Sequence, residues 1–331
     1  MNNRGQVFTL DMIYALIIVA LIIGCSGKAF EMAVNRTDSY SARYSLERTA
    51  NDAADVLVKT LGRPVNWEEN TETLETPGFA EENEGNPVPN TISLMKFGQL
   101  RRLTNSDNWV APANASAVEA IKKLFGGSED FEIRILDENG NELWHAFPGW
   151  VPGENSGAEN SLEVAVVRRL VAVKYGSAIE ADSGRIAARA PGGDKIEENL
   201  EFEIYPGELD AFDWYIVVAG DGNPNLSMTV NDNKSAPADY NFTKADTPQE
   251  IYPKKPPGTH TVNHGGIEND DDINAENQLH EGTNFIHLYL PPAASSWVRV
   301  YVVAVPFCSA RETAAIMVQS LSATLEVKMW R

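Results

Sequence analysis

The sequence predicts an α+β fold, with a long N-terminal hydrophobic α-helix followed by a mainly antiparallel, β-sandwich-like head. Three observations predict it. Residues 12–24 read MIYALIIVALIIG, without a charge. No proline occurs between Lys28 and Leu61, where apolar residues recur at three- and four-residue steps. From residue 130 onward the period shortens to about two, and short alternating runs are separated by turn residues.

The apolar run comes first. Residues 7–27 make a segment of 21 residues, and at ~1.5 Å per residue a helix of that length matches roughly 30 Å of hydrocarbon. Arg4 is the only charged residue ahead of Asp11, and Asp11 stands near the start of the run. A carboxylate there costs several kcal/mol unless it is protonated, paired or close to the interface. Beyond the run, Ala29, Met32, Ala33, Tyr40, Tyr44, Ala50, Ala54, Leu57, Val58 and Leu61 form one apolar stripe. Gly62 followed by Pro64 supplies a helix stop. The two segments together predict one helix of ~55 residues, on the order of 80 Å long, whose upper half packs on a globular domain. The alternative is two helices kinked at Gly24 and Gly27.

Residues 68–90 are acidic and rich in Thr, Pro, Gly and Asn, which reads as a mobile loop. Short helices are expected at 93–103 and 117–124. Phe131, Ile133 and Ile135 then alternate with Glu132 and Arg134, and Asp137-Glu138-Asn139-Gly140-Asn141 supplies a hairpin turn. Further strands are expected at 162–175, 186–190, 200–205, 214–219, 227–230, 284–290, 298–305 and 321–330. Residues 231–281 contain five prolines and many Asn, Asp and Gly, a long excursion suited to a variable outer surface.

The chain has 331 residues and a formal net charge of −20 from 47 acidic and 27 basic residues. Such a surface repels a phosphate backbone, so direct nucleic-acid binding is not expected. It reads as a solvated exterior, or more sharply as a surface for cations or an S-layer. The two cysteines, Cys25 and Cys308, lie far apart and exclude a disulfide framework or a cysteine-pair zinc site. There is no phosphate-binding glycine loop, nucleophile elbow, His-Glu-x-x-His or haem-attachment motif, so neither an enzyme nor a cofactor is expected. His260 and His264 lie among prolines and glycines and read as solvent-exposed loop histidines. Asp270, Asp271 and Asp272 with Glu268 or Glu276 offer carboxylates to calcium but lack an EF-hand spacing, and a solvated acidic turn is the plainer reading. No metal site is assigned.

The run Arg4-Gly5-Gln6-Val7-Phe8-Thr9-Leu10-Asp11 resembles the class III signal of archaeal prepilins and prearchaellins. The order of Leu61-Gly62-Arg63-Pro64-Val65-Asn66-Trp67-Glu68, Ile92-Ser93-Leu94-Met95-Lys96 and Phe131-Glu132-Ile133-Arg134-Ile135 resembles a layout of archaeal type IV pilin-like surface proteins over the first ~135 residues. The resemblance implies that a membrane-embedded aspartyl prepilin peptidase cuts between Gly5 and Gln6 and leaves the helix on the mature chain. Asp11 stands one position later than in the usual pattern. By the same resemblance, the new α-amine of Gln6 on one subunit pairs with Asp11 of a neighbour, which makes a charge in an apolar bundle tolerable.

That resemblance implies a structural subunit, a major or minor pilin, at the cell surface. Other pilin-like subunits would be its partners through the N-terminal helix, with the membrane holding it before assembly. It also implies the division 1–5 leader, 6–61 helix and stalk, 62–129 loop and short helices, and 130–331 extracellular head. Two other anchors stay open. Ile22-Ile23-Gly24-Cys25 satisfies a loose lipobox, which would lipidate Cys25; an uncleaved signal anchor would keep every residue. Both fit a monotopic, membrane-tethered binding module such as an archaellum-stator-like protein or a lipoprotein. Five N-glycosylation sequons begin at Asn35, Asn114, Asn225, Asn233 and Asn241.

Overall fold

The computed structural model describes residues 4–151, 153–174, 178–180, 186–187, 196–220, 226–231, 240–242, 249–252, 279–290, 297–309, 313–317 and 321–331. The chain forms two compact units, Met1–Arg48 and Thr49–Arg331. Helix α1 (Arg4–Lys59) supplies the described residues of the first and the opening turns of the second. It passes Gly24 and Gly27 without interruption, so the two-helix alternative does not hold. An added Cβ at either glycine would meet nothing within 4 Å.

The second unit contains β1 (Ala80–Asn83), β2 (Asn86–Ser93), α2 (Leu94–Thr104), α3 (Ser106–Trp109), α4 (Ala115–Leu124), β3 (Phe131–Leu136) and β4 (Glu142–Ala146). These are followed by β5 (Val164–Lys174), β6 (Ala178–Glu180), β7 (Ile186–Ala187), β8 (Ile196–Ile204), α5 (Glu208–Ala211), β9 (Phe212–Gly220) and β10 (Leu226–Val230). The last elements are β11 (Tyr240–Phe242), β12 (Gln249–Tyr252), β13 (Gly282–Leu290), β14 (Trp297–Pro306), α6 (Thr313–Ile316) and β15 (Leu321–Trp330). The strands make a six-stranded sheet in the order β1-β2-β5-β15-β3-β4, a four-stranded sheet β11-β10-β13-β8, and a sheet β12-β9-β14-β6 in which β7 also pairs with β14. Among these, β2 and β5 run parallel and the other described pairs antiparallel. The coarse expectation of an α+β chain with a long apolar N-terminal helix therefore holds. The described strands form three sheets, and a two-layer sandwich is not what their pairing defines.

The expected loop at 68–90 is corrected. It contains a 3₁₀ turn at Thr71–Thr73 and the β1–β2 hairpin. Both central residues of that hairpin, Glu84 (φ +52°) and Gly85 (φ +81°), take the left-handed φ that a tight antiparallel turn needs. Polar composition hid a segment in which Leu74, Phe79 and Ala80 are buried and Val88 is half-buried. The excursion at 231–281 likewise contributes β11 and β12.

The end of α1 shows how this segment folds. A helix leaves its last carbonyls without intrahelical partners. Thr60 N and Oγ1 both donate to Val56 O, at 3.1 and 2.8 Å. Phe79 N donates to Leu57 O (2.7 Å) and Ala80 N to Thr60 O (3.0 Å). The buried Lys96 ammonium donates to Leu61 O (2.8 Å) and Val65 O (2.9 Å). Its counter-ion Glu68 lies 3.8 Å away. Burial pushes Lys96 down and Glu68 up, because both charged forms lose water. Of the expected stripe Ala50, Ala54, Leu57, Val58 and Leu61 are buried, together with Ala53, so the stripe packs on the core from Ala50 onward. Met32, Tyr40 and Tyr44 of the same stripe are exposed.

One face of the six-stranded sheet packs on helices: Phe97 of α2 contacts Phe79 and Trp144, and Phe125 stacks on Phe131 at 3.8 Å. Helix α2 also reaches β14 and the turn after it, where Arg101 donates to Cys308 O (2.8 Å) and lies over the Trp150 ring. Burial lowers the Arg101 pKa to about 10, still well above neutrality.

Candidate functional site

The feature that chemistry cannot leave in water is the first part of α1. From Met12 to Ile23 its large apolar side chains are between 50% and 67% exposed. Among the described residues α1 is the one helix long and apolar enough to cross a membrane. Further along α1, Arg43 and Glu47 pair at 3.0 Å and Thr37 Oγ1 donates to Ala33 O, ordinary contacts of a solvated helix surface. Gly5, Gln6 and Asp11 belong to the helical backbone, and their side chains lie outside the described residues. Cys25 is exposed on α1, Cys308 is buried, and neither forms a disulfide.

The sequons fall in different settings. Asn35 is exposed on α1. Asn114 caps α4 and is half-buried, with its amide nitrogen donating to Asn108 O and Oδ1, both at 3.2 Å. Asn225 and Asn233 lie outside the described residues, as does the side chain of Asn241 in β11. His260, His264 and residues 268–276 also lie outside them. Among the described residues no group of three His, Cys, Asp or Glu side chains is placed to hold a metal. The turn at 137–141 is a hairpin closed on itself. Asp137 Oδ1 accepts from Asn139 N (2.9 Å) and Asn141 N (2.7 Å), and Oδ2 accepts from Asn141 Nδ2 (2.9 Å). Those bonds, led by the Asn141 side chain, hold the Asp137 carboxyl below the usual range.

A second constellation was not legible in the sequence. The polar row of β3 and β15 is a checkerboard of charges. Arg134 pairs with Glu132 (2.8 Å) and Glu142 (3.2 Å), Arg168 with Glu326 (2.6 Å), and Lys328 with both Glu132 and Glu326 (3.4 Å each). Three acids and three bases balance. Glu132 and Glu326 are buried, and Ser156, from the segment before β5, donates to Glu132 at 3.0 Å. Alternation along β3 sets Glu132 and Arg134 on one face; the cover of that face comes from residues distant in sequence, so no local pattern announced it. Neutral, hydrogen-bonded pairing is what lets such a lattice be covered.

At the β4 edge of the lattice His145 Nδ1 lies 2.6 Å from Glu142 Oε1. His145 first, then Arg134, holds the Glu142 carboxyl below its usual range. A depressed folded pKa gives stability that is present above the unfolded value, ~4.3, and is lost as pH falls through the folded value. The Glu142→Gln chain is therefore expected to lose less stability than the parent between about pH 5 and 3. With Glu142 about a third exposed, the difference is expected below ~1 kcal/mol, read from denaturant midpoints across that range.

These features define an α+β protein in which, among the described residues, one exposed helix is long and apolar enough to cross a membrane. No protein-family model matches the chain, and no curated protein matches it.

Proposed function

We propose that this chain is an archaeal type IV pilin-like subunit, held in the cytoplasmic membrane by α1 and then incorporated through that helix into a surface filament. The observation that carries the reading is the exposed, charge-free apolar surface of residues 12–23, which water disfavours by about 25 cal/mol per Å². Either lipid or the apolar helices of neighbouring subunits would remove it from water. Cleavage between Gly5 and Gln6 frees an α-amine that neutralises Asp11 of a neighbour. On this reading residues 130–331 form the extracellular head, and the Phe202–Trp214 contact (5.9 Å) supports reading its four- and five-stranded sheets as sandwich-like layers. The acidic exterior suits a surface exposed to the medium, with the sequons as glycan acceptors and adhesion as its task.

Mass spectrometry of the native N-terminus tests the processing. A chain beginning at Gln6 is expected; one beginning at a lipidated Cys25 would replace the filament reading with a tethered lipoprotein. Asp11→Ala is expected to cut filament incorporation at least tenfold while leaving the membrane-bound precursor at its normal level. Unchanged incorporation would remove the charge pair from the mechanism.

A further inference from the structure

The outward row of β5 is the reverse of what solvent selects. On the β3 side of the sheet the charged residues Glu132 and Glu326 are buried, while on β5 Leu170 is 77% exposed and Leu162, just before the strand, 98% exposed. Val164 and Val166 share that face and are also exposed. The opposite side of β5 is occupied: Ala165, Val167, Val171 and Val173 are buried, and Arg169 reaches Asp55 (2.8 Å) and Asn51 (3.1 Å) of α1. Strand β5 pairs with β15 along Val164–Val173 and with β2 only at Ala172–Lys174. Its apolar side chains stand out of the plane of the sheet, away from the backbone groups that pair strands, so what they offer is a flat face.

We infer that the Leu162–Val164–Val166–Leu170 face docks a second copy of this chain. Charge is the first reason. In a chain with 47 acidic residues, positions 162–174 contain one, Glu163, and it is paired with Arg331. The one charge in the exposed row, Arg168, is already matched by Glu326 at 2.6 Å. Two copies, each at −20, repel almost everywhere, and this row is a place where they meet without opposing carboxylates. Area is the second reason. Four such side chains bury on the order of 400 Å² per partner, about half the ~800 Å² of a standard interface. That is too little for a free dimer and enough for copies already held side by side, where tethering raises the effective concentration. The inference thus rests on the helix-mediated association proposed above, and names the contact it would allow between heads.

A photo-cross-linking residue placed at Leu170 of the full-length chain, in native membranes or filaments, tests it. A covalent dimer of this chain is expected, and Leu162→Glu in the same chain should lower its yield at least tenfold. A probe at Val110, equally exposed away from this face, should give none. A probe at Tyr44 on α1 reports separately on side-by-side helices, and an unchanged denaturant midpoint of the Leu162→Glu chain controls for folding of the second unit. Adducts at 44 without adducts at 170 overturn the docking face and leave helix-mediated association standing. Adducts at neither position overturn both. Adducts from 170 to lipid or to a different protein overturn the choice of occupant.

Discussion

Ile18→Arg is expected to strip the chain from membranes. Between positions 12 and 24 there are eight Ile, Leu and Val residues: Ile13, Leu16, Ile17, Ile18, Val19, Leu21, Ile22 and Ile23. At about −0.3 to −0.6 kcal/mol each on an insertion scale they contribute roughly −2 to −5 kcal/mol, while an arginine at the helix centre costs about 2.5–3.5 kcal/mol. One substitution therefore offsets most of the favourable term. Snorkelling offers little relief, because position 18 lies near the middle of the run, far from either interface. The expected result is a carbonate-resistant fraction that falls from nearly all of the protein to a minor part, with Ile18→Leu unchanged. Retention of the arginine chain in that fraction would mean that something other than this helix holds the protein to the membrane.

Gly78→Ala is expected to be the most damaging small substitution in the second unit. A methyl group there would lie 2.5 Å from Thr60 O and Thr60 Oγ1 and closer still to Gly62 N. These are mostly backbone atoms of the turn that ends α1, so no flexible side chain can yield. Gly62 itself (φ +85°) is pressed by the Trp67 ring, 2.6 Å from where its own Cβ would stand. Trp67 Nε1 donates to Gly78 O (3.1 Å), closing the crossing from the other side. Opening it would endanger the Phe79–Leu57 and Ala80–Thr60 bonds that satisfy the helix end, each worth about 1–3 kcal/mol if left unmade in the core. A loss of roughly 3–5 kcal/mol is expected, out of the 5–15 kcal/mol typical of a folded domain. Denaturant unfolding of the full chain in detergent measures it. Gly24→Ala, in open space on α1, serves as the neutral control, and a Gly78→Ala loss below ~1 kcal/mol would mean that this crossing is looser than described.

The contrast between these two positions reflects what can be read locally. A run such as 12–24 carries its own meaning, because lipid or a helix bundle accepts any helix that is apolar all round. The α1 stop was legible for a similar reason: Gly62 and Pro64 act within one turn of the backbone they interrupt. The β3–β4 hairpin was legible from alternation and Asn139-Gly140. The β1–β2 hairpin was not, although Glu84-Gly85 was a usable turn signal, because its strands are mostly polar and solvent-facing. Asn225 and Asn233, candidate glycan acceptors, and the acidic run 268–276, a candidate for calcium, lie outside the described residues.

By itself the sequence determined the long helix, where it stops, and the strand-rich character of the rest of the chain, since these depend on periodicity and on residues a few positions apart. Only the tertiary structure decided that the strands pair into three sheets, that Lys96 closes the end of α1 across 35 positions, and that Glu132 is covered while Leu170 is open. Burial is a property of what arrives from elsewhere in the chain. Alternation along one strand names two faces, and it takes the neighbouring segments to settle which of them meets water.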